Sequence, residues 1–151
     1  MARRSRAREV VLQVLFQQDL NRDTSVDRAR EFVYGRLREP RLADFAWLLY
    51  CGVMEHRKLL DARIEETAKN WSLKRMAVTD RNVLRLGAFE LLYTETPSKV
   101  AVDEALELAK RYGSAQSSQF VNGILDRLMP HASPLPPPAD PTQPPEVDTT
   151  G

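Results

Sequence analysis

The sequence predicts an all-α protein, a compact bundle of about seven helices, and three observations point there. Apolar residues recur at three- and four-residue intervals through most of the first 129 positions. The sustained apolar–polar alternation that marks strands is missing, and turn dipeptides are few. Pro40, Pro97 and Gly113 punctuate the periodic stretches as helix breakers and terminators do.

Taken in order, the first helix covers about residues 4–20, with Val11, Leu12, Val14 and Leu15 as an apolar stripe. A second begins at Thr24. Thr24-x-x-Asp27 has the form of a capping pattern: the hydroxyl satisfies free amides, and Asp27 suits the positive end of the helix dipole. Ala29, Phe32, Val33 and Leu37 are its buried face, and Pro40 ends or separates it. Residues 42–71 hold two helices. Phe45, Leu48, Leu49 and Val53 line one; Leu60, Ile64, Ala68 and Trp71 line the other. Residues 79–93 are the most apolar stretch. There Val83, Leu84, Leu86, Phe89, Leu91 and Leu92 cover most of the circumference, which predicts a central helix packed on several sides. Residues 100–112 are amphipathic, with Ala101, Ala105, Leu108 and Tyr112 inward and Glu107–Arg111 paired outside. A last helix over 115–129 buries Val121, Ile124, Leu125 and Leu128.

Residues 1–129 thus form one helical domain. Residues 130–151 hold eight of the ten prolines, three acids and no Lys or Arg. Such a segment cannot offset its ordering entropy, which predicts a disordered acidic tail. The whole chain carries a formal charge of +1, so residues 1–129 carry +4. Four arginines, Arg3, Arg4, Arg6 and Arg8, precede the first acid, Glu9, and concentrate that charge at the N-terminus.

Several function classes drop out. There is no Gly-rich phosphate loop and no CxxC, and His56 and His131 lack metal-ligand spacing, so neither cofactor nor metal is expected. No catalytic residue is assigned: nothing assembles an acid–base pair or an activated nucleophile. Asp103/Glu104 and Glu65/Glu66 read as solvated helix faces, and His56 as a solvated helix end. The lone Cys51, in an apolar run, reads as a buried inert thiol and suits a reducing cytoplasm. No apolar run is long enough for a membrane span, and the N-terminal stretch lacks the features of a signal peptide.

Two features point to nucleic acid. Guanidinium groups pair with phosphate bidentately and stack on bases, and Arg4 and Arg8 lie one helical turn apart. The bland alternative is a solvated basic terminus. The second feature is the run from Gly113 to Gly123, which opens the last helix. Free N–H groups there suit phosphate, Gln116, Ser117, Gln119 and Asn122 can read base edges, and Phe120 can stack. Helix capping plus core packing of Phe120 explains the same residues without a ligand. Asn122-Gly123 inside a helix suggests either a close helix–helix approach at Gly123 or a loop fixed by Asn122.

Four segments resemble one family. Thr79-Asp80-Arg81-Asn82-Val83-Leu84-Arg85-Leu86 resembles the D-R-N-(I/V)-L-R-(L/I) helix of NusB proteins. Residues 97–110, Pro-Ser-Lys-Val-Ala-Val-Asp-Glu-Ala-Leu-Glu-Leu-Ala-Lys, resemble the family's P-x-K-V-A-I-N-E-A-(V/I)-E-L-A-K, with Asp103 where Asn is frequent. Phe120-Val121-Asn122-Gly123-Ile124-Leu125-Asp126 resembles F-V-N-G-(V/I)-L-D, and the run from Arg3 to Glu9 resembles the R-R-x-A-R-E start. Order and spacing match over about residues 3–129.

The resemblance implies a fold of two packed helical sub-bundles. It implies a cytoplasmic, non-enzymatic antitermination factor that binds boxA-like single-stranded RNA of ribosomal RNA leaders with NusE, a ribosomal small-subunit protein, and joins other Nus factors on RNA polymerase. Arg3, Arg4, Arg6 and Arg8 match the family's RNA-contacting terminus. Gln116, Ser117, Gln119, Phe120 and Asn122 fall in its second RNA-contacting region, with Gln116 replacing an acid found in some members. Asp80 and Arg81 match the helix start that faces the protein partner. The rival readings are a helical protein–protein scaffold, one form of which is a homodimer burying the arginine-rich face, and the detached NusB-like domain of an RNA cytosine methyltransferase. The latter requires a catalytic domain that residues 1–151 do not contain.

Overall fold

A computed structural model describes residues 3–69 and 71–129. Among them the regular structure is helical throughout: α1 (Arg3–Leu20), α2 (Val26–Arg36), α3 (Pro40–Glu55), α4 (Arg57–Ala68), a 3-10 turn (Leu73–Arg75), α5 (Val78–Tyr93), α6 (Ser98–Tyr112) and α7 (Ser117–Leu128). The tail predicted at 130–151 lies outside the described residues.

Helices α1, α2 and α3 pack on one another, and α4 to α7 form a second group. Helix α5 belongs to the second group and also packs on α1 and α3, so it is the shared spine. Its composition explains this position: 11 of its 16 residues are buried, Val83, Leu84, Leu86 and Ala88 almost completely. Truncating Leu84 there costs about 2–5 kcal/mol. Gly87 lets α5 approach α6 and α7 closely, since a Cβ would lie 3.1 Å from Leu125 Cδ1 and 3.3 Å from Ala105 Cβ.

Local chemistry moved several boundaries. Ser25, not Thr24, caps α2: its hydroxyl accepts from the Arg28 amide at 3.1 Å, while Thr24 Oγ1 donates to the Asn21 carbonyl. Pro40 does not merely stop a helix. It occupies the first turn of α3, where its missing N–H costs nothing. Helix α4 ends at Ala68, and Lys69 adopts a positive φ of 55°, so the chain turns before Trp71, which is 53% exposed and outside the core. Leu48 and Tyr112, expected inward, are 64% and 39% exposed. Gly113 does cap α6, donating its N–H to Ala109 O.

His56 reverses its expectation. It sits where α3 meets α4, and that junction tucks the ring beneath α5. The residue is 7% exposed, Nδ1 lies 2.8 Å from Gly52 O, and the ring contacts Tyr93 at a centroid distance of 3.9 Å. Neither reading of Asn122-Gly123 holds: Asn122 is an exposed residue within α7, and at Gly123 a Cβ would meet nothing within 4 Å, whereas at Gly52 a Cβ would overlap the Phe89 ring. Cys51 is half-buried, and burial, then the nearby Glu55 charge, pushes its thiol up, so it stays protonated at neutral pH.

Candidate nucleic-acid interface

The four N-terminal arginines occupy the first turns of α1 and divide by helical phase. Arg3 is exposed and bonds both carboxylate oxygens of Glu39, at the start of α3. Arg4 lies over the Phe45 ring at 4.6 Å, exposed and with no ion pair to any described residue. Arg6 faces the other way, bonding Glu9 at 3.1 Å with a side chain 41% exposed.

Arg8 departs from its expected role. One turn beyond Arg4, it lies where α1 packs on α5, and its side chain is 4% exposed. Its Nε and Nη2 clamp Glu90, itself 1% exposed, at 2.8–3.0 Å, and Nη1 is 3.7 Å from Glu104. Glu104 in turn accepts from Ser5 Oγ at 2.7 Å. So Glu104 is not a freely solvated acid, and the Arg8 guanidinium is engaged inside the protein.

Glu9 joins this terminus to the second region. It is 5% exposed and accepts from Arg6 on one side and Arg111 on the other. Arg111 is thus drawn to α1, not to Glu107, which pairs with Lys110 at 3.8 Å. Arg111 and Tyr112 end α6 and lead into the Gly113–Gln116 connection. That connection is tightly made. Ser117 Oγ accepts from the Ser114 amide at 2.8 Å, and a Cβ on Gly113 would overlap this hydroxyl. Ser117 is 1% exposed, so its side chain shapes the loop and does not present itself to a ligand.

Gln116, Gln119 and Asn122 are exposed along the start of α7. Phe120 is half-buried and meets Trp71 edge-on, centroids 6.4 Å apart at 74°. Sequence periodicity placed Trp71 in the core by extending the 60, 64, 68 series one step too far. The Lys69-Asn70 pair before it is a helix-end signal that argues against that step.

Asp80 and Arg81 open α5. Asp80 is 9% exposed and lines a cleft with Trp71, Gln116 and Phe120, which brings it beside the second region. Arg81 is held inward: Nε bonds Asp19 at 2.6 Å and Nη1 reaches Leu73 O at 3.4 Å. Asp19 also bonds Asn82 and pairs with Arg85 and Arg57. Burial alone would raise the Asp19 pKa. Hydrogen bonds from Arg81 and Asn82 and the Arg85 and Arg81 charges outweigh it and hold the carboxyl below its usual range. Beside Thr79, a depression of about 470 Å³ is lined by Leu12, Phe16 and Tyr112. Phe16 and Tyr112 are 37% and 39% exposed there.

Among the described residues, no group of three or more His, Cys, Asp or Glu side chains is placed to hold a metal ion, and no helix is long and apolar enough to cross a membrane. The site is a surface with a basic rim, exposed amides and two adjacent aromatics. Such a surface can neutralise phosphates, read base edges and stack bases.

Comparison with known proteins gives a consistent answer. The family model described as "NusB family" matches residues 5–130. The transcription antitermination protein NusB of Anaeromyxobacter dehalogenans (strain 2CP-1) is 48% identical over 139 residues, covering 90% of this chain and 94% of its own. A solved structure described as T. maritima NusB superposes with a TM-score of 0.78 at 38% identity, over 89% of this chain and 94% of that one. A solved complex of antitermination factors NusB and NusE with double-stranded RNA contains a chain with a TM-score of 0.78 at 26% identity, over 87% and 98%.

Proposed function

The chain belongs to the NusB family, and from that premise we propose that it is an antitermination factor acting as an RNA adaptor. It binds a boxA-like single-stranded element of ribosomal RNA leaders together with NusE, and it joins other Nus factors on RNA polymerase in the cytoplasm. It catalyses no reaction. The observation that carries this reading is the continuity of the surface. Glu9 ties Arg6 to Arg111, and Arg111 leads through Gly113 to Gln116, Gln119, Phe120 and Asn122. A phosphate backbone laid along that path meets Arg6 and Arg111, while the amides and Phe120 face its bases, and Arg3 and Arg4 attract it from the exposed end of α1. Arg8 and Ser117 support the path from within.

The partner protein docks at the α5 start, where Asp80 and Arg81 adjoin the depression made by Leu12, Phe16, Thr79 and Tyr112. Apolar side chains exposed beside fixed charges suit a protein contact. Because that depression shares Tyr112 with the end of α6, partner and RNA lie side by side, and each enlarges the other's surface.

Fluorescence anisotropy of a labelled boxA-like single strand tests the reading, with and without NusE, at two salt concentrations. Binding that tightens with NusE, weakens steeply with salt and is lost on scrambling the RNA is the expected result. Absence of binding in every condition overturns it. Duplex RNA of the same sequence belongs in the experiment, because the solved NusB–NusE complex contains double-stranded RNA.

One observation favours a second reading. A groove of about 1090 Å³ runs past Arg4, Phe45, Leu48, Tyr93 and Val100, and Leu48 is 64% exposed. In that reading this face forms a homodimer that covers Arg4. Sedimentation equilibrium of the wild-type protein and Leu48→Glu decides: a dimer dissociated by the substitution favours it, a monomer in both removes it.

A further inference from the structure

Trp71 is the least expected feature of the surface. Tryptophan is usually well covered, yet Trp71 is 53% exposed and stands edge-on to Phe120. The two rings border a cleft on either side of them. One, of about 210 Å³, has Arg75 and Gln116 at its walls. The other, of about 290 Å³, has Gln119 and Arg127. Gly123 borders the second cleft, and a side chain there would meet no atom within 4 Å, so the cleft stays open where any larger residue would begin to fill it.

We propose that Trp71 and Phe120 form a two-sided aromatic wall on which successive unpaired bases of the bound RNA stack, one in each cleft. This inference rests on the RNA-binding reading and deepens it by adding Trp71. Two planar walls with a guanidinium and a primary amide beside each match a nucleotide in all its parts: the ring takes the base, the amide its edge, the cation its phosphate. Charge agrees, since Lys74 and Arg75 are exposed next to Trp71. The acid in the first cleft, Asp80, is 9% exposed. Its carboxylate opposes phosphate in that cleft, and the exposed Lys74 and Arg75 offset it. The clefts are also continuous with Gln116 and Gln119, so no separate ligand is needed to cover them. Duplex RNA, with its bases already stacked, cannot use such a wall.

The experiment uses the intrinsic fluorescence of Trp71. The chain has two tryptophans, and Trp47→Phe leaves Trp71 as the sole reporter. This variant is titrated with a boxA-like single-stranded RNA, with versions carrying one abasic position at a time, and with the corresponding duplex. Anisotropy of a labelled strand reports binding independently. The single strand should quench Trp71, the duplex should not, and one or two adjacent abasic positions should abolish the quenching. Trp71→Ala should weaken single-strand binding by about five- to hundredfold, and Trp71→Phe should retain most of it. Because Trp71 is half-exposed, circular dichroism and thermal melts of Trp71→Ala should match the parent. Binding by anisotropy without quenching, together with unchanged affinity of Trp71→Ala, overturns this inference and leaves the RNA reading standing. Quenching by NusE in the absence of RNA overturns it in favour of a protein contact. No binding by anisotropy removes the RNA reading itself and this inference with it.

Discussion

Replacing Arg8 with alanine removes the cation that clamps Glu90, and Glu90 is 1% exposed between α1 and the α5 spine. Breaking a buried pair from one side costs about 3–5 kcal/mol, because the remaining charge stays desolvated. Glu104, with its side chain 22% exposed, can be rehydrated and adds little to this cost. For a domain of this size, 3–5 kcal/mol corresponds to a fall in Tm of roughly 10–20 °C. The double substitution Arg8→Met/Glu90→Leu removes both charges and fills the volume, so it should recover most of the loss. Denaturant melts of wild type, both single variants and the double variant close a thermodynamic cycle. RNA affinity, measured by anisotropy at a temperature where every variant is folded, should stay near wild type in the double variant. A stable Arg8→Ala with RNA binding reduced by tenfold or more would refute the argument. Arg8 would then be an RNA ligand that turns outward when RNA arrives.

The remaining predictions use the same logic. Arg4→Ala/Arg6→Ala should leave the melt nearly unchanged, yet lower the slope of log K against log salt by about 1.4, two single-strand phosphates' worth; an unchanged slope would remove both residues from the interface. Asp19→Asn should cost about 3 kcal/mol near neutral pH by stranding Arg81 and Arg85. The folded Asp19 pKa is depressed, so its stabilisation is complete above the unfolded carboxyl value of about 3.9 and is lost as pH falls through the lower folded value. Urea melts of the two proteins should therefore converge in strong acid; a constant gap would place the effect elsewhere. Gly52→Ala should destabilise by about 1–3 kcal/mol through overlap with Phe89, whereas Gly123→Ala, with open space around it, should stabilise α7 by up to about 1 kcal/mol. Equal effects of the two alanines on Tm would contradict the packing described.

What the sequence made legible was periodic. The apolar coverage of residues 79–93 foretold the α5 spine, and the breakers at Pro97 and Gly113 foretold the limits of α6. Periodicity has no view of what lies across a gap. Gly52 looked unexceptional because Phe89 is 37 positions away, and Arg8 looked like Arg4 because Glu90 is 82 positions away. His56 misled for the same reason: His-Arg-Lys is polar as a string, but the α3–α4 junction folds its ring beneath Tyr93. Trp71 failed differently. Its spacing continues a helical stripe, and only the backbone turn at Lys69 takes it out of the helix and onto the surface. In the candidate site, residue types were readable and orientation was not. Gln116, Gln119 and Phe120 stay near the surface, while Ser117, one residue from Gln116, turns inward to hold the loop.

Orientation also explains why a surface suited to a polyanion keeps a carboxylate at its centre. Glu9 lowers the local charge, which by itself weakens attraction for phosphate. It also fixes two long cations that would otherwise sample many rotamers. An immobilised arginine loses less entropy on meeting a phosphate, at about 0.5–1.5 kcal/mol per side chain held in advance. With Glu9 5% exposed and bound to both Arg6 and Arg111, the acid is kept back from the surface, while the two arginine side chains are 41% and 53% exposed. The proposed interface divides the work: Arg3 and Arg4 at the exposed end of α1 would supply long-range attraction, and the Arg6–Glu9–Arg111 bridge alignment. In the proposed RNA-binding role, placing the two tasks on opposite phases of one helix would let α1 draw in a backbone and direct it toward Gln116 and Phe120.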